Sequence, residues 1–334
     1  MAPLVFAAPA KSQEDSILKE LDQGWSADQR EAWYTSTQGS RLIPESWLRA
    51  LEQPGKQALF LEPEHIESFG YLRQGNTAAG PLPVGFVTDT GPDNALIRTK
   101  LRWQAGQDGR APWVGLTCSA CHTTRLTYRG KTLPIDGGPS VTNLQAFMAT
   151  LNHALLETRD DPQKFDRFAR GVLKSNFDRD KDALRNSFTK LVAWQVNEAR
   201  INTTSIVYGP GRVDAFGRIY NKVALLLGGA DAQGNPPDAP VSIPFIWRAP
   251  AYDKVQYNGI APKKVVAGLD IGAVGRNVGE VIGVFGDVVP HANPSLIKGF
   301  KSSIKLENLA GLERELAQLR PPAWPASIDR KSVV

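Results

Sequence analysis

Apolar positions through the middle of the chain recur at three- and four-residue spacing, the period of an amphipathic helix. Ser140 followed by Val141, Leu144, Met148, Leu151 and Leu155 predicts a Ser-capped helix from position 141 to about 157, with one apolar face. Asp161-Pro162 predicts the start of another, with Phe165, Phe168, Val172 and Leu173 inward. Further helices are predicted over 182–200, 213–227, 275–285 and 306–319. The last carries a stripe of Leu306, Leu309, Leu312, Leu316 and Leu319. Nearer the start, Ser12 to Asp15 has the pattern of a helix cap, and Asp28 caps a helix through Trp33. Pro44 takes the first position of a helix over 45–51, ending near Pro54-Gly55.

Two stretches follow the other period. Thr124 to Tyr128 and Lys131 to Ile135, broken at Arg129-Gly130, predict a small β-hairpin. Residues 234–264 form a proline-rich loop bearing Phe245, Trp247, Tyr252 and Tyr257. A loop that long in a compact domain is a functional element or a cover. The whole pattern predicts a mainly α fold with short β-hairpins and long ordered loops.

Composition narrows the class. The 334 residues are 42% hydrophobic and 22% charged, which is globular, and 30 glycines with 24 prolines favour loops. The net charge of +5 is scattered without a basic stripe, so no nucleic-acid partner is expected. No apolar run is long enough for an integral membrane segment. Met1 to Ala10 ends in small residues like an export signal but lacks a basic start. It is the remnant of such a signal or a merely apolar beginning.

The chemistry concentrates at one place. The chain has two cysteines, Cys118 and Cys121, and His122 follows at once. Cys-x-x-Cys-His is the attachment pattern of haem c. Two thiols at this spacing reach the two vinyl groups on one edge of the porphyrin, and a short helical turn brings the imidazole under the iron. A zinc site would need further ligands nearby, and none is present in the sequence. A redox dithiol would sit in a βαβ setting, which the flanks do not provide. A disulfide here would close a very small loop. The expectation is therefore one haem c, bound by Cys118 and Cys121, with His122 as axial ligand.

Several stretches together resemble the di-haem c-type cytochromes that include the rubber oxygenases and lie near the bacterial cytochrome c peroxidases. They are Thr37-Gln-Gly-Ser-Arg-Leu-Ile-Pro44 with Trp47, Leu82-Pro-Val-Gly-Phe86, Val114-Gly-Leu-Thr-Cys-Ser-Ala-Cys-His122 and Ile135-Asp-Gly-Gly-Pro139. Gly211-Arg-Val-Asp214, Ala239-Pro-Val-Ser242 and Gly275-Arg-Asn-Val-Gly-Glu280 continue the likeness. The resemblance implies a single elaborated cytochrome c-like haem domain over 25–325, after an N-terminal segment over 1–24. It implies an exported, periplasmic or secreted oxidoreductase with an electron donor or acceptor protein as partner, and admits an apolar substrate. The family carries a second haem motif, which this sequence lacks. Residues 326–334 accordingly have the look of a truncated tail, with the second haem domain missing.

Function then turns on the sixth iron ligand. The candidates are Met148, His65, His153 and His291. Met148 sits on an apolar helix face, the usual place of core filler, and each histidine has a surface position as its plainer account. Phe245, Trp247 or Tyr257 could line an open distal side or simply pack, and Arg125 could meet a haem propionate or stay solvated. An open iron site implies an oxidoreductase handling dioxygen or peroxide, oxygenase or peroxidase in type. A filled site implies a plain electron-carrier cytochrome. No catalytic residue is assigned.

Overall fold

The computed structural model describes residues 22–74, 82–102, 107–128, 130–255, 259, 261–266, 268–290 and 300–323. The expected helix start at Ser12 to Asp15, the leading segment, Tyr257, His291 and the closing residues lie outside these.

The chain enters through α1 (Ala27–Thr35). Its cap is Ser26, not Asp28: the Ser26 hydroxyl accepts from Gln29 N–H while the Gln29 side chain accepts from Ser26 N–H. This reciprocal pair satisfies two donors at once, and Asp28 is left in the first turn, where a negative charge suits the helix dipole. β1 (Ile43–Pro44) leads into α2 (Glu45–Ala50), with Pro44 one position before the helix. α3 (Pro63–Glu67) follows, then β2 (Phe86–Asp89) and β3 (Trp113–Leu116). These strands form an antiparallel sheet in the order β1-β3-β2.

β3 is buried along its whole length, and it runs directly into α4 (Cys118–Cys121). The hairpin of β4 (Thr123–Tyr128) and β5 (Lys131–Asp136) comes next, with Gly130 in the left-handed region at φ 77° in its turn. Three long helices then build the main core: α5 (Leu144–Asp160), α6 (Pro162–Leu173) and α7 (Phe177–Ile201). α5 starts three residues later than Ser140 predicts. Asn143 caps it by accepting from Ala146 N–H, while Ser140 pairs with the Thr142 hydroxyl. Val141 is consequently exposed rather than on the apolar face. Between α6, α7 and α2 the rings of Phe165, Phe168, Phe188 and Trp47 interlock, with Phe168 and Phe188 centroids 4.8 Å apart. Each such ring taken from water contributes about 1.5–3 kcal/mol.

α8 (Ala215–Gly228), α9 (Ile271–Gly283) and α10 (Leu306–Leu316) complete the helices, α8 and α9 capped by Asp214 and Asp270. Leu309, Leu312, Leu316 and Leu319 are buried, while Leu306 is exposed. Leu312, Leu316 and Leu319 join Trp25 and Trp33 in a second core that Cys118, Tyr34, Ile246 and Trp247 border.

The mainly α, cytochrome c-like expectation is corrected. The described part is 46% helical and 14% strand, a mixed α/β arrangement with several separate small sheets and nothing specific to a cytochrome c fold. The reason is physical. Loops rich in glycine and proline still carry backbone donors and acceptors that must be paired, and short antiparallel ribbons pair them. The 234–264 loop shows this: Val241–Ser242 pairs with Arg212–Val213, and Lys254–Val255 with Ala261–Pro262. Among the described residues no helix is long and apolar enough to cross a membrane.

Candidate functional site

The site grows out of β3. Thr117 N–H donates to the Gly85 carbonyl at 2.9 Å, turning the chain from strand into the single helical turn α4. Gly85 has φ 82°, and a Cβ there would lie 2.1 Å from the Ala120 nitrogen and 2.5 Å from its Cβ. Only glycine lets the two segments approach so closely. At the other end, Ser140 N–H donates to the Cys121 carbonyl at 3.0 Å. The Cys118-to-His122 turn is thereby fixed on both sides.

Three residues apart on one turn, the two thiols lie on the same side of α4. Both are free and partly buried. The Cys118 thiol donates to Gln38 Oε1 at 3.3 Å, and the Thr142 hydroxyl hydrogen-bonds Cys121. Burial pushes Cys118 up to about 11 and Cys121 up to about 12. A redox dithiol has a thiol lowered toward neutrality, and burial shifts both of these the other way. Among the described residues no group of three or more His, Cys, Asp or Glu is placed to hold a metal ion.

His122 closes α4, with its N–H on the Cys118 carbonyl at 2.9 Å. Its Nδ1 lies 2.9 Å from the Pro244 carbonyl oxygen, which can only accept, so Nδ1 carries the proton. Burial, helped by the charge of Arg276, pushes the imidazole down to about 4, against the opposing pull of the Pro244 carbonyl. The ring is thus neutral at pH 7 and its Nε2 keeps a lone pair. This contact fixes the ring's tautomer and orientation and leaves Nε2 free of the proton, as a metal-ligating histidine would require.

The surroundings are apolar with a few polar contacts. Trp33, Trp247 and Leu319 crowd the Cys118 side, and the Trp33 indole donates to the Thr123 hydroxyl at 3.2 Å. Trp247 donates to the Asp136 carbonyl at 2.8 Å, and Phe245 stacks on it with centroids 5.0 Å apart. Asp136 also holds Arg30 at 2.7 Å and the Tyr34 hydroxyl, which pins α1 to the hairpin beside the site. Two buried polar atoms near the cysteines have no partner, Gln38 Nε2 and the Tyr71 hydroxyl. Two free thiols on one turn beside an oriented imidazole are the donor set that a covalently held haem would use.

His65 Nδ1 meets the Phe60 carbonyl at 2.8 Å, and its ring packs between Phe60 and Phe69. His153 is exposed and 3.1 Å from Glu157. Met148 is buried in the main core and lines a cleft of about 130 Å³ between α5 and α7, with Glu198 and Arg218. Arg125 donates to the Arg73 carbonyl at 3.0 Å. Tyr252 is exposed. Pro244 and Tyr71 escape a reading of the sequence, since Pro244 acts through its backbone and Tyr71 belongs to no motif; Gln38 lies in the quoted 37–44 stretch, but its contact with Cys118 has no sequence signal.

No protein-family model matches the chain, and no solved structure matches it. The uncharacterized protein y4iJ of Sinorhizobium fredii is 34% identical over 333 residues, covering 92% of this chain and 53% of its own length. The chain therefore spans about half the length of this curated relative.

Proposed function

We propose that the chain binds one haem c through Cys118 and Cys121, with His122 Nε2 as axial ligand, and works as an oxidoreductase. The observation that carries this reading is the Nδ1 contact of His122 with the Pro244 carbonyl, one residue beyond two thiols on a single turn. When bound, haem c supplies a one-electron iron couple and a coordination position for dioxygen or peroxide. The chain's own residues do the rest. Cys118 and Cys121 tether, His122 orients, and Trp33, Trp247 and Leu319 keep water from one side. His65 meets the Phe60 carbonyl and His153 pairs with Glu157, which supports an iron open to a small ligand over a six-coordinate electron carrier, with Met148 as the sixth-ligand alternative. A periplasmic or secreted setting and kinship with the di-haem oxygenases and peroxidases belong to the same proposal.

The test is an absorption spectrum of protein exported alongside the haem-attachment machinery, taken oxidised, reduced, and reduced with carbon monoxide. A haem c spectrum that shifts with carbon monoxide is expected. A low-spin spectrum indifferent to carbon monoxide makes the protein an electron carrier instead, and the absence of haem overturns the reading.

A further inference from the structure

The cleft of about 130 Å³ that Met148 lines is bounded by α5, α7 and the start of α8. Met148 and Glu198 are its buried residues, and Ala149 and Ala199 are exposed at its rim, where two small side chains leave the entrance open. Most of its polar groups are already spent. Gln145 donates to the Ile206 carbonyl and accepts from Tyr208 N–H. Asn202 donates to the Glu198 carbonyl and accepts from Asn221. The Glu198 carboxylate accepts from Lys222 at 3.0 Å. Burial alone would push this carboxyl up, but Lys222, Lys100 and Arg218 together hold it below its usual value, so it is ionised.

Arg218 is different. Its side chain is 11% exposed, its Nε is enclosed without a partner, and Glu198 Oε1 stands off at 4.0 Å, beyond hydrogen-bond reach. The other acidic groups nearby are taken. Asp214, one turn earlier, gives its two oxygens to Gly217 N–H and Ala239 N–H, and Asp287 pairs with Lys100 at 3.4 Å. Among the described residues the guanidinium therefore has no hydrogen-bonded counter-ion, whereas an enclosed arginine is ordinarily held by a carboxylate, often through two parallel bonds. Asn152, on the α5 wall of the same cleft, has its Oδ1 enclosed without a partner too. A cavity of about 150 Å³ takes a molecule the size of benzene, so this space admits one ligand of a few heavy atoms. Phosphate would set two negative charges beside Glu198 and leave the apolar surface of Met148, Ala149 and Ala199 unused. An anion with one charge and a short apolar tail uses both.

We propose that this cleft binds a small monocarboxylate of about two to four carbons, with its carboxylate on the Arg218 fork and its alkyl end against Met148 and the two alanines. The Asn152 amide, which can turn to present either end, bonds the second carboxylate oxygen through its NH2. The site stands independently of the haem reading.

The test titrates the full chain with sodium propionate at constant ionic strength, read by calorimetry and by the rise in melting temperature. Propionamide, which keeps the shape and loses the charge, and inorganic phosphate are the comparisons. Saturable propionate binding is expected, with propionamide weaker by about tenfold or more. Arg218→Gln should weaken propionate by about tenfold or more. Ala149→Leu should do the same, because it fills the rim from an exposed position and leaves Arg218 untouched. If Arg218→Gln fails to melt cooperatively, Arg218→Lys replaces it; the charge stays, the fork is lost, and weaker binding is again expected. No saturable binding of propionate, equal binding of propionamide, tighter binding of phosphate, or wild-type affinity in the folded variants would each overturn the proposal.

Discussion

The imidazole of His122 is held by the backbone of Pro244, 122 positions further along the chain, across a 2.9 Å hydrogen bond. A local motif therefore depends on a distant loop for its orientation. Replacing His122 by Ala should leave the two thioethers in place but remove the axial nitrogen. The expected result is a haem-bearing protein with a changed spectrum, restored in part by added imidazole. A wild-type spectrum in the variant would show that another residue binds the iron.

Gly85 is the contact on which the attachment turn rests. Gly85→Ala places a methyl group against the Ala120 backbone at a position with φ 82°. Strain of this kind costs about 1–3 kcal/mol before any clash is counted. A lower melting temperature and poorer haem incorporation are expected together. Unchanged stability would mean that the two segments are further apart than 2.1 Å implies.

Met148 faces the cleft between α5 and α7. Met148→Leu conserves volume and should cost less than about 1.5 kcal/mol. The haem spectrum of this variant is expected to match the wild type in both redox states. Loss of a low-spin component would instead make Met148 an iron ligand.

Acid stability should depend on Asp89. Burial alone would push its carboxyl up, but Arg41 at 2.6 Å, the Thr37 hydroxyl, Gly91 N–H and Lys305 together hold it below the usual value of 3.8. The folded state thus binds its proton less readily than the unfolded chain. The stabilisation is complete above about pH 3.8 and is lost as pH falls through the lower folded value. Asp89→Asn leaves the buried Arg41 with Asp93 at 3.7 Å and the Gly91 carbonyl at 2.7 Å, at a cost of about 1–3 kcal/mol. Denaturant unfolding as a function of pH should show a lower stability and a shallower acid slope in the variant; parallel curves would count against this pairing.

Much of this was visible in the residues themselves, for reasons that differ by element. The β4–β5 hairpin follows from alternation around Arg129-Gly130, and α6 from Asp161-Pro162, since each signal is local. Start positions slipped where two caps competed. Ser26 prevails over Asp28 through a reciprocal bond, and Asn143 over Ser140 because Ser140 is engaged with Thr142. β3 escaped notice because Trp113-Val-Gly-Leu116 is a short apolar run without alternation, buried on both faces, and such runs carry no period. That omission also explains why a mainly α fold was expected. At the site, Cys118, Cys121 and His122 stand out by spacing alone. Pro244 does not, because its part depends on a backbone carbonyl; Gln38 and Gly85 fall in the quoted stretches 37–44 and 82–86, but an amide contact and a missing Cβ become visible only when folding brings them to the turn.

The central claim is covalent haem on Cys118 and Cys121, and intact-protein mass under denaturing acid measures it most directly. Protein exported with the haem-attachment machinery should carry the added mass of one haem. Cys118→Ala and Cys121→Ala should each keep it through a single thioether, and the double variant should lose it. A wild-type mass equal to that of the bare polypeptide, or a haem that survives in the double variant, would contradict the account.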